Sequence, residues 1–190
     1  MPLNIPNILT WLRIGLIPLF VAIFYLPQHW LSAHEANLIA ASIFAVAAIT
    51  DWLDGYLART LNQTSAFGAF LDPVADKLMV AAALLLLVKL NRVDAIVSLI
   101  IIGREITISA LREWMAQLGA SKSVAVSFIG KIKTAVQMIA ILLLLYHDSV
   151  FSKIDTQLLG TWLIYIAAIL TLWSMGYYLK MALPQVRKRI

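Results

Sequence analysis

Four aspartates lie inside or at the edges of long apolar runs: Asp51, Asp54, Asp72 and Asp76. A carboxylate among apolar residues is costly, and in a membrane setting it marks chemistry or an ion path by default. Asp51 and Asp54 are three residues apart and share one helix face; Asp72 and Asp76, four apart, share another. Between the pairs runs the polar stretch Asn62-Gln63-Thr64-Ser65. A helical hairpin folded at 62–64 sets Asp51 level with Asp76 and Asp54 level with Asp72, roughly 13–19 Å from the turn at the usual helical rise. Four converging carboxylates repel one another unless cations join them, and hard divalent ions (magnesium, manganese or calcium) suit oxygen donors. The set is large enough for two ions, an arrangement that steadies both attacking and leaving oxygens in a phosphoryl displacement. Pairing with Lys77, Arg59 or helix ends is the structural alternative. Gly55 and Ala58 make a small face beside Asp54, with Gly68 four residues before Asp72. That face leaves either a slot for a flat or phosphorylated ligand or a close helix–helix contact. Arg59 brings a fork of donors, for phosphate oxygens or for the membrane interface.

The elements that must position these residues are apolar helices. Of 190 residues, 62% are hydrophobic and 13% charged, against about 45–50% and about 25% in a soluble domain. Six runs have the length of about 20 residues that a bilayer core demands: about 8–27, 36–59, 69–89, 93–115, 124–146 and 157–181. The expected fold is an all-α integral membrane bundle of six transmembrane helices, a single domain over 1–190, with a short interfacial segment at the N-terminus. Barrel strands are excluded, because they alternate over about 10 residues instead of staying apolar for twenty. Asn4, Asn7, Thr10 and Arg13 recur every third residue and share one face of that first segment. With no cysteine, disulfide and thiolate chemistry are excluded. The histidines, His29, His34 and His147, fall in loops on the other side from the aspartates. Basic residues such as Arg13, Arg59, Arg112, Lys131, Lys180, Arg187 and Lys188 crowd the side that carries both termini, which predicts a cytoplasmic location for that side.

At these positions the sequence resembles the CDP-alcohol phosphatidyltransferase family. Asp51, Asp54, Gly55, Ala58, Arg59, Gly68, Asp72 and Asp76 fill the family signature without a mismatch. The resemblance implies roles residue by residue. Asp51, Asp54 and Asp72 bind one metal ion, and Asp51, Asp72 and Asp76 a second, magnesium or manganese. Asp76 is also the catalytic base for the acceptor hydroxyl. Gly55, Ala58, Arg59 and Gly68 shape the site for the CDP-diacylglycerol headgroup.

Asn4-Ile-Pro-Asn-Ile-Leu-Thr-Trp-Leu-Arg13, Gly103-Arg-Glu-Ile106 and Gly130-Lys-Ile-Lys-Thr134 with Gln137 are similar to members whose acceptor is sn-glycerol 3-phosphate. The reaction so implied transfers a phosphatidyl group from CDP-diacylglycerol to that acceptor, giving phosphatidylglycerophosphate and CMP. A phosphorylated acceptor needs cations. Arg104, Arg112, Lys131 and Lys133 are the candidates, each able instead to snorkel or pair structurally. Glu105 and Arg112, two turns apart, are one such pair. Lys131 and Lys133 cannot both face one pocket on an ideal helix. Serine, inositol phosphate and phosphatidylglycerol are alternative acceptors, and an ion or metal transporter is the alternative class. The expected setting is a bacterial inner membrane, among membrane lipids and without nucleic-acid partners; the apolar faces allow a homodimer.

Overall fold

A computed structural model gives the structure of residues 5–60, 66–117, 128–148 and 155–187. Six helices account for nearly all of it: α1 (Ile5–Ala22), α2 (Ala33–Thr60), α3 (Ala66–Lys89), α4 (Ala95–Gln117), α5 (Phe128–Tyr146) and α6 (Thr156–Arg187). No strand occurs among the described residues. The expected runs and these helices agree to within a few residues, α6 extending furthest beyond its run. Asn7–Tyr25, Ala33–Asp51 and Thr156–Pro184 are long and apolar enough to cross a membrane, and Ile132–Tyr146 is a shorter apolar stretch. α3 and α4 carry charges in mid-helix, Asp72, Asp76 and Lys77 on one and Arg104 and Glu105 on the other. The chain is an all-α membrane protein.

Local chemistry sets the helix ends. Ser32 and Glu35 form a capping box at the start of α2: the Glu35 carboxylate accepts from the Ser32 backbone N–H at 2.9 Å, and Ser32 Oγ accepts from the Glu35 N–H at 3.3 Å. Asp94 caps α4 by accepting the Ile96 N–H at 2.7 Å, and Asp155 caps α6 by accepting those of Gln157 and Leu158 at 2.9 and 3.0 Å. α3 ends in a left-handed residue, Asn91 (φ 56°). The N–H groups of Asn91 and Arg92 return to the carbonyls of Val88 and Leu87 there. Pro18 sits inside α1, which gives way to one 3-10 turn at Ile23–Tyr25.

The bundle is wrapped the reverse way from a soluble protein. Large apolar residues such as Leu19, Ile49, Leu85, Leu99 and Trp173 point outward to where lipid lies. The interior is filled by Phe20, Phe44, Leu84, Leu87, Ile101, Ile141 and Leu144, with alanines on α2 letting its neighbours close in. α1 lies against both α2 and α3, and α5 packs along α6 and α2. At the end of the bundle away from the aspartates, Arg92 ties three elements together. Its Nη1 donates to the carbonyls of Leu144 and Leu145 at 3.1 and 3.0 Å, and its Nη2 to Asn37 Oδ1 at 2.8 Å. A cation on the last carbonyls of α5 also complements that helix's dipole. Beside it, burial and the Arg92 charge hold His147 below the ordinary imidazole range. His34 pairs with Asp148 at 2.7 Å, closing α2 onto the residues that follow α5.

Gly160 of α6 packs tightly against α5. A Cβ there would stand 2.7 Å from Leu144 Cγ and 3.3 Å from the Ala140 carbonyl oxygen. Both neighbours belong to a filled interior that has no room to yield. Gly160→Ala is expected to destabilise the protein by about 1–3 kcal/mol, as overpacking does, and a thermal melt in detergent checks it.

Candidate active site

Three of the four aspartates can be located with their side chains. Asp51 stands in the C-terminal half of α2, and Asp72 and Asp76 lie on successive turns of α3. The side chains of Asp54, Gly55, Ala58 and Arg59, although on α2, lie outside the described residues, as does the proposed turn at 62–64. Gly68 is buried near the start of α3.

α1 is what organises this region. Arg13 is 1% exposed, among the largest fully buried side chains of the bundle, and its Nη1 donates to Asp51 Oδ1 at 2.6 Å. One turn away, Thr10 Oγ1 donates to Asp72 Oδ1. Asn7, Thr10 and Arg13 are all buried. They do share a helix face, as their spacing predicts, but the face turns into the bundle instead of lying along the interface. The reason is electrostatic: a guanidinium in an apolar helix is best placed against a carboxylate, and α2 supplies one. The hairpin expectation, in which α2 and α3 alone bring the aspartates together, is thereby modified. α1 stands against both helices and holds one aspartate of each.

Among the described residues no group of three carboxylates is drawn tightly enough to hold a metal ion. The donor chemistry nonetheless fits one. Asp51, Asp72 and Asp76 offer only oxygen, and Arg13 is the cation seen on Asp51. A hard divalent ion suits such a set.

Asp76 belongs to a second feature as well. It lines a cavity of about 290 Å³ together with Lys77, Arg104, Glu105, Arg112 and Gln137. Arg104 is buried, and its Nη2 donates to Ser174 Oγ at 2.9 Å while Nη1 lies 3.3 Å from Glu105 Oε1. Lys133, 1% exposed, donates to the same Glu105 oxygen. The Arg104 and Arg112 guanidinium carbons sit 5.7 and 5.4 Å from the Tyr178 ring centre, so one aromatic ring steadies both. The Nε atom of each arginine is buried with no hydrogen-bond partner among the described residues. Lys77, Arg104 and Arg112 line the cavity against Asp76 and Glu105, and with Lys133 behind Glu105 counted, two positive charges are left over. A phosphate monoester carries about that much negative charge at neutral pH. Larger hollows of about 530 and 420 Å³ lie at the opposite end of the bundle, along the start of α6 and beside the α3–α4 connection. They are open and far from the aspartates, so the smaller, more enclosed cavity is the better candidate for chemistry.

The acceptor candidates divide accordingly. Arg104, Arg112 and Lys133 gather at or beside the cavity; the Lys131 side chain lies outside the described residues. Glu105 pairs with Lys133 and Arg104, not with Arg112 as helix spacing alone allows, because α5 presents Lys133 directly to it. Arg13, Thr10 and Gln137 were not legible as site residues. For Arg13 the available signal was a charge in an apolar run together with the three-residue spacing.

A family model described as CDP-alcohol phosphatidyltransferase matches residues 3–173. The chain belongs to that family. Proteins of Escherichia coli, Salmonella typhimurium and Shigella flexneri are each 50% identical to it over 184 residues, covering 96% of both chains. Each is named CDP-diacylglycerol–glycerol-3-phosphate 3-phosphatidyltransferase. As a CDP-alcohol phosphatidyltransferase the chain is a membrane enzyme, and the transporter alternative is set aside. In this phosphatidyltransferase the signature runs from the inner part of α2 into α3, and α1 completes it from outside the signature.

That dependence is testable. Arg13→Gln is expected to lower phosphatidyl transfer at least about tenfold, since a hydrogen bond to a charged group is worth about 1.5–3 kcal/mol. Asp51→Asn combined with Arg13→Gln should lose less than the two single losses multiplied. Steady-state rates of the four proteins decide it.

Proposed function

We propose that the chain transfers the phosphatidyl group of CDP-diacylglycerol to sn-glycerol 3-phosphate, releasing CMP. The observation that carries this reading is the cation-rich cavity that opens on Asp76. An anionic acceptor seated there places its hydroxyl beside the one carboxylate shared with the signature. The names of the 50% identical relatives support the same pair of substrates.

Arg104, Arg112 and Lys133 hold the acceptor phosphate, and Glu105 keeps Lys133 and Arg104 in position. Asp76 accepts the proton of the attacking primary hydroxyl. That oxygen forms a bond to the β-phosphorus of CDP-diacylglycerol as the bond from this phosphorus to the CMP oxygen breaks. Asp51, Asp54, Asp72 and Asp76 would hold divalent magnesium or manganese. When bound, such ions polarise the pyrophosphate and stabilise the leaving CMP. Gly55, Ala58, Arg59 and Gly68 border the CDP headgroup. Apolar outer faces of the helices take the acyl chains. The basic bias of the termini supports an active site facing the cytoplasm, in a bacterial inner membrane. Serine, with no net charge, makes little use of two surplus positive charges; inositol phosphate is the competing acceptor that does.

Purified protein in detergent, given CDP-diacylglycerol, magnesium and labelled sn-glycerol 3-phosphate, is expected to form labelled phosphatidylglycerophosphate and CMP. Asp76→Asn should lose about 10²–10⁴-fold in rate, the usual worth of general-base catalysis. Arg112→Gln should raise the acceptor KM about tenfold or more, as loss of a charge-assisted hydrogen bond does. CMP release that needs inositol phosphate instead overturns the acceptor. No release with any alcohol overturns the reaction.

A further inference from the structure

Gln137 stands on α5, one turn beyond Lys133, so the two share a helix face. It is 2% exposed and lines the cavity with Asp76 and Arg112. Its Oε1 is buried and has no hydrogen-bond partner among the described residues. A buried carboxamide oxygen left in this state costs about 1–3 kcal/mol, and the penalty rises where no water reaches.

The other side-chain oxygens of the cavity already have a bond or a task. The Glu105 carboxylate receives Lys133 and Arg104. The Thr134 hydroxyl donates to the Gly130 carbonyl at 2.9 Å. Asp76 is needed for the proton of the attacking hydroxyl. Lys77, Arg104 and Arg112 are donors only. Among the described residues that line the cavity, Gln137 Oε1 is the buried acceptor that has no partner, and a neutral hydroxyl can donate to it.

Glycerol 3-phosphate has one hydroxyl that neither phosphate binding nor proton removal uses. It is the C2 hydroxyl, lying between the phosphate and the C1 hydroxyl that attacks. We infer that Gln137 is the residue that receives this C2 hydroxyl, aligning the acceptor and selecting for a three-carbon phosphate that bears it. The inference rests on glycerol 3-phosphate being the acceptor. A hydroxyl both donates and accepts, so it satisfies either end of the carboxamide. With the phosphate on the cations, the C2 oxygen on Gln137 and the C1 oxygen beside Asp76, three points fix the acceptor's hand as well as its position. Sites that hydrogen-bond a substrate hydroxyl discriminate strongly against the analogue lacking it, because their own polar group is then stranded.

The test compares sn-glycerol 3-phosphate with 3-hydroxypropyl phosphate, which lacks only the C2 hydroxyl, as acceptors for the purified full chain with CDP-diacylglycerol and magnesium. Wild type is expected to favour glycerol 3-phosphate about tenfold to hundredfold in kcat/KM. Gln137→Met, which keeps an unbranched side chain of similar length, should reduce that preference to threefold or less. A merely structural role would lower both rates together and leave the ratio alone. Gln137→Leu is the second variant should Gln137→Met fail to fold. A wild-type preference below threefold, or a preference retained in the folded variant, overturns the role of Gln137 while leaving the reaction standing. Turnover of neither phosphate by wild type overturns the acceptor reading and this inference with it.

Discussion

Charges placed inside a bundle whose outer face meets lipid have no bulk water to solvate them, and every one must find its complement within the protein or in a ligand. The Arg13–Asp51 pair is where this constraint is felt most widely. It fixes the rotation of α1, because only one face of that helix carries Asn7, Thr10 and Arg13. It sets the depth of α1 against α2, and through Thr10 and Asp72 the position of α3 against both. The signature helices are thus positioned by a residue outside the signature. Glu105 does comparable duty on the other side of Asp76, drawing Lys133 from α5 toward Arg104 on its own helix α4. Asp76 stands between the two arrangements, with an aspartate-rich region on one side and surplus positive charge on the other. That polarity suits a reaction in which one anion, the nucleotide leaving group, departs while another, the acceptor phosphate, stays bound.

Much of this could be read from residue spacing. Six apolar runs gave six helices, because a segment twenty residues long and almost free of charge has few alternatives to helix in any environment. The aspartate spacing placed the reactive region on the second and third helices. What spacing could not give was which helix fills the angle between them. The three-residue recurrence of Asn7, Thr10 and Arg13 announced a polar face but not its direction, since a polar stripe serves water and a carboxylate on a neighbouring helix equally well. The partner of Glu105 was hidden for a related reason. Arg112 is near it in sequence and Lys133 is on another helix, and only packing chooses between a neighbour along one helix and one across an interface. Gln137 was marked only by its place in a stretch that carries the resemblance, and its role stayed hidden because an unsatisfied amide is a property of its surroundings.

The two ends of the bundle differ in kind. Away from the aspartates, Arg92, Asn37, Asp94, Asp148 and Asp155 are spent on capping helices and joining them. Nearer the aspartates, polar atoms are left over: Nε of Arg104, Nε of Arg112 and Oε1 of Gln137. The far end is tied together by these bonds, although Ser98 Oγ and His147 Nδ1 are buried there without a partner among the described residues, and the other end keeps capacity around its cavity for a ligand. The close approach at Gly160 and the ties of Arg92 therefore act as a fixed base from which the inner ends of α3, α4 and α5 are held apart.

The contacts of α1 also bear on the order in which the protein is assembled. Arg13 meets Asp51 only after 38 further residues have been made, and Thr10 meets Asp72 only after 62. α1 leaves the ribosome before α2 and α3 and carries its polar stripe into the bilayer ahead of both of the acids that receive it. Its final seating must follow the insertion of α3, so α1 settles only after helices made later than itself.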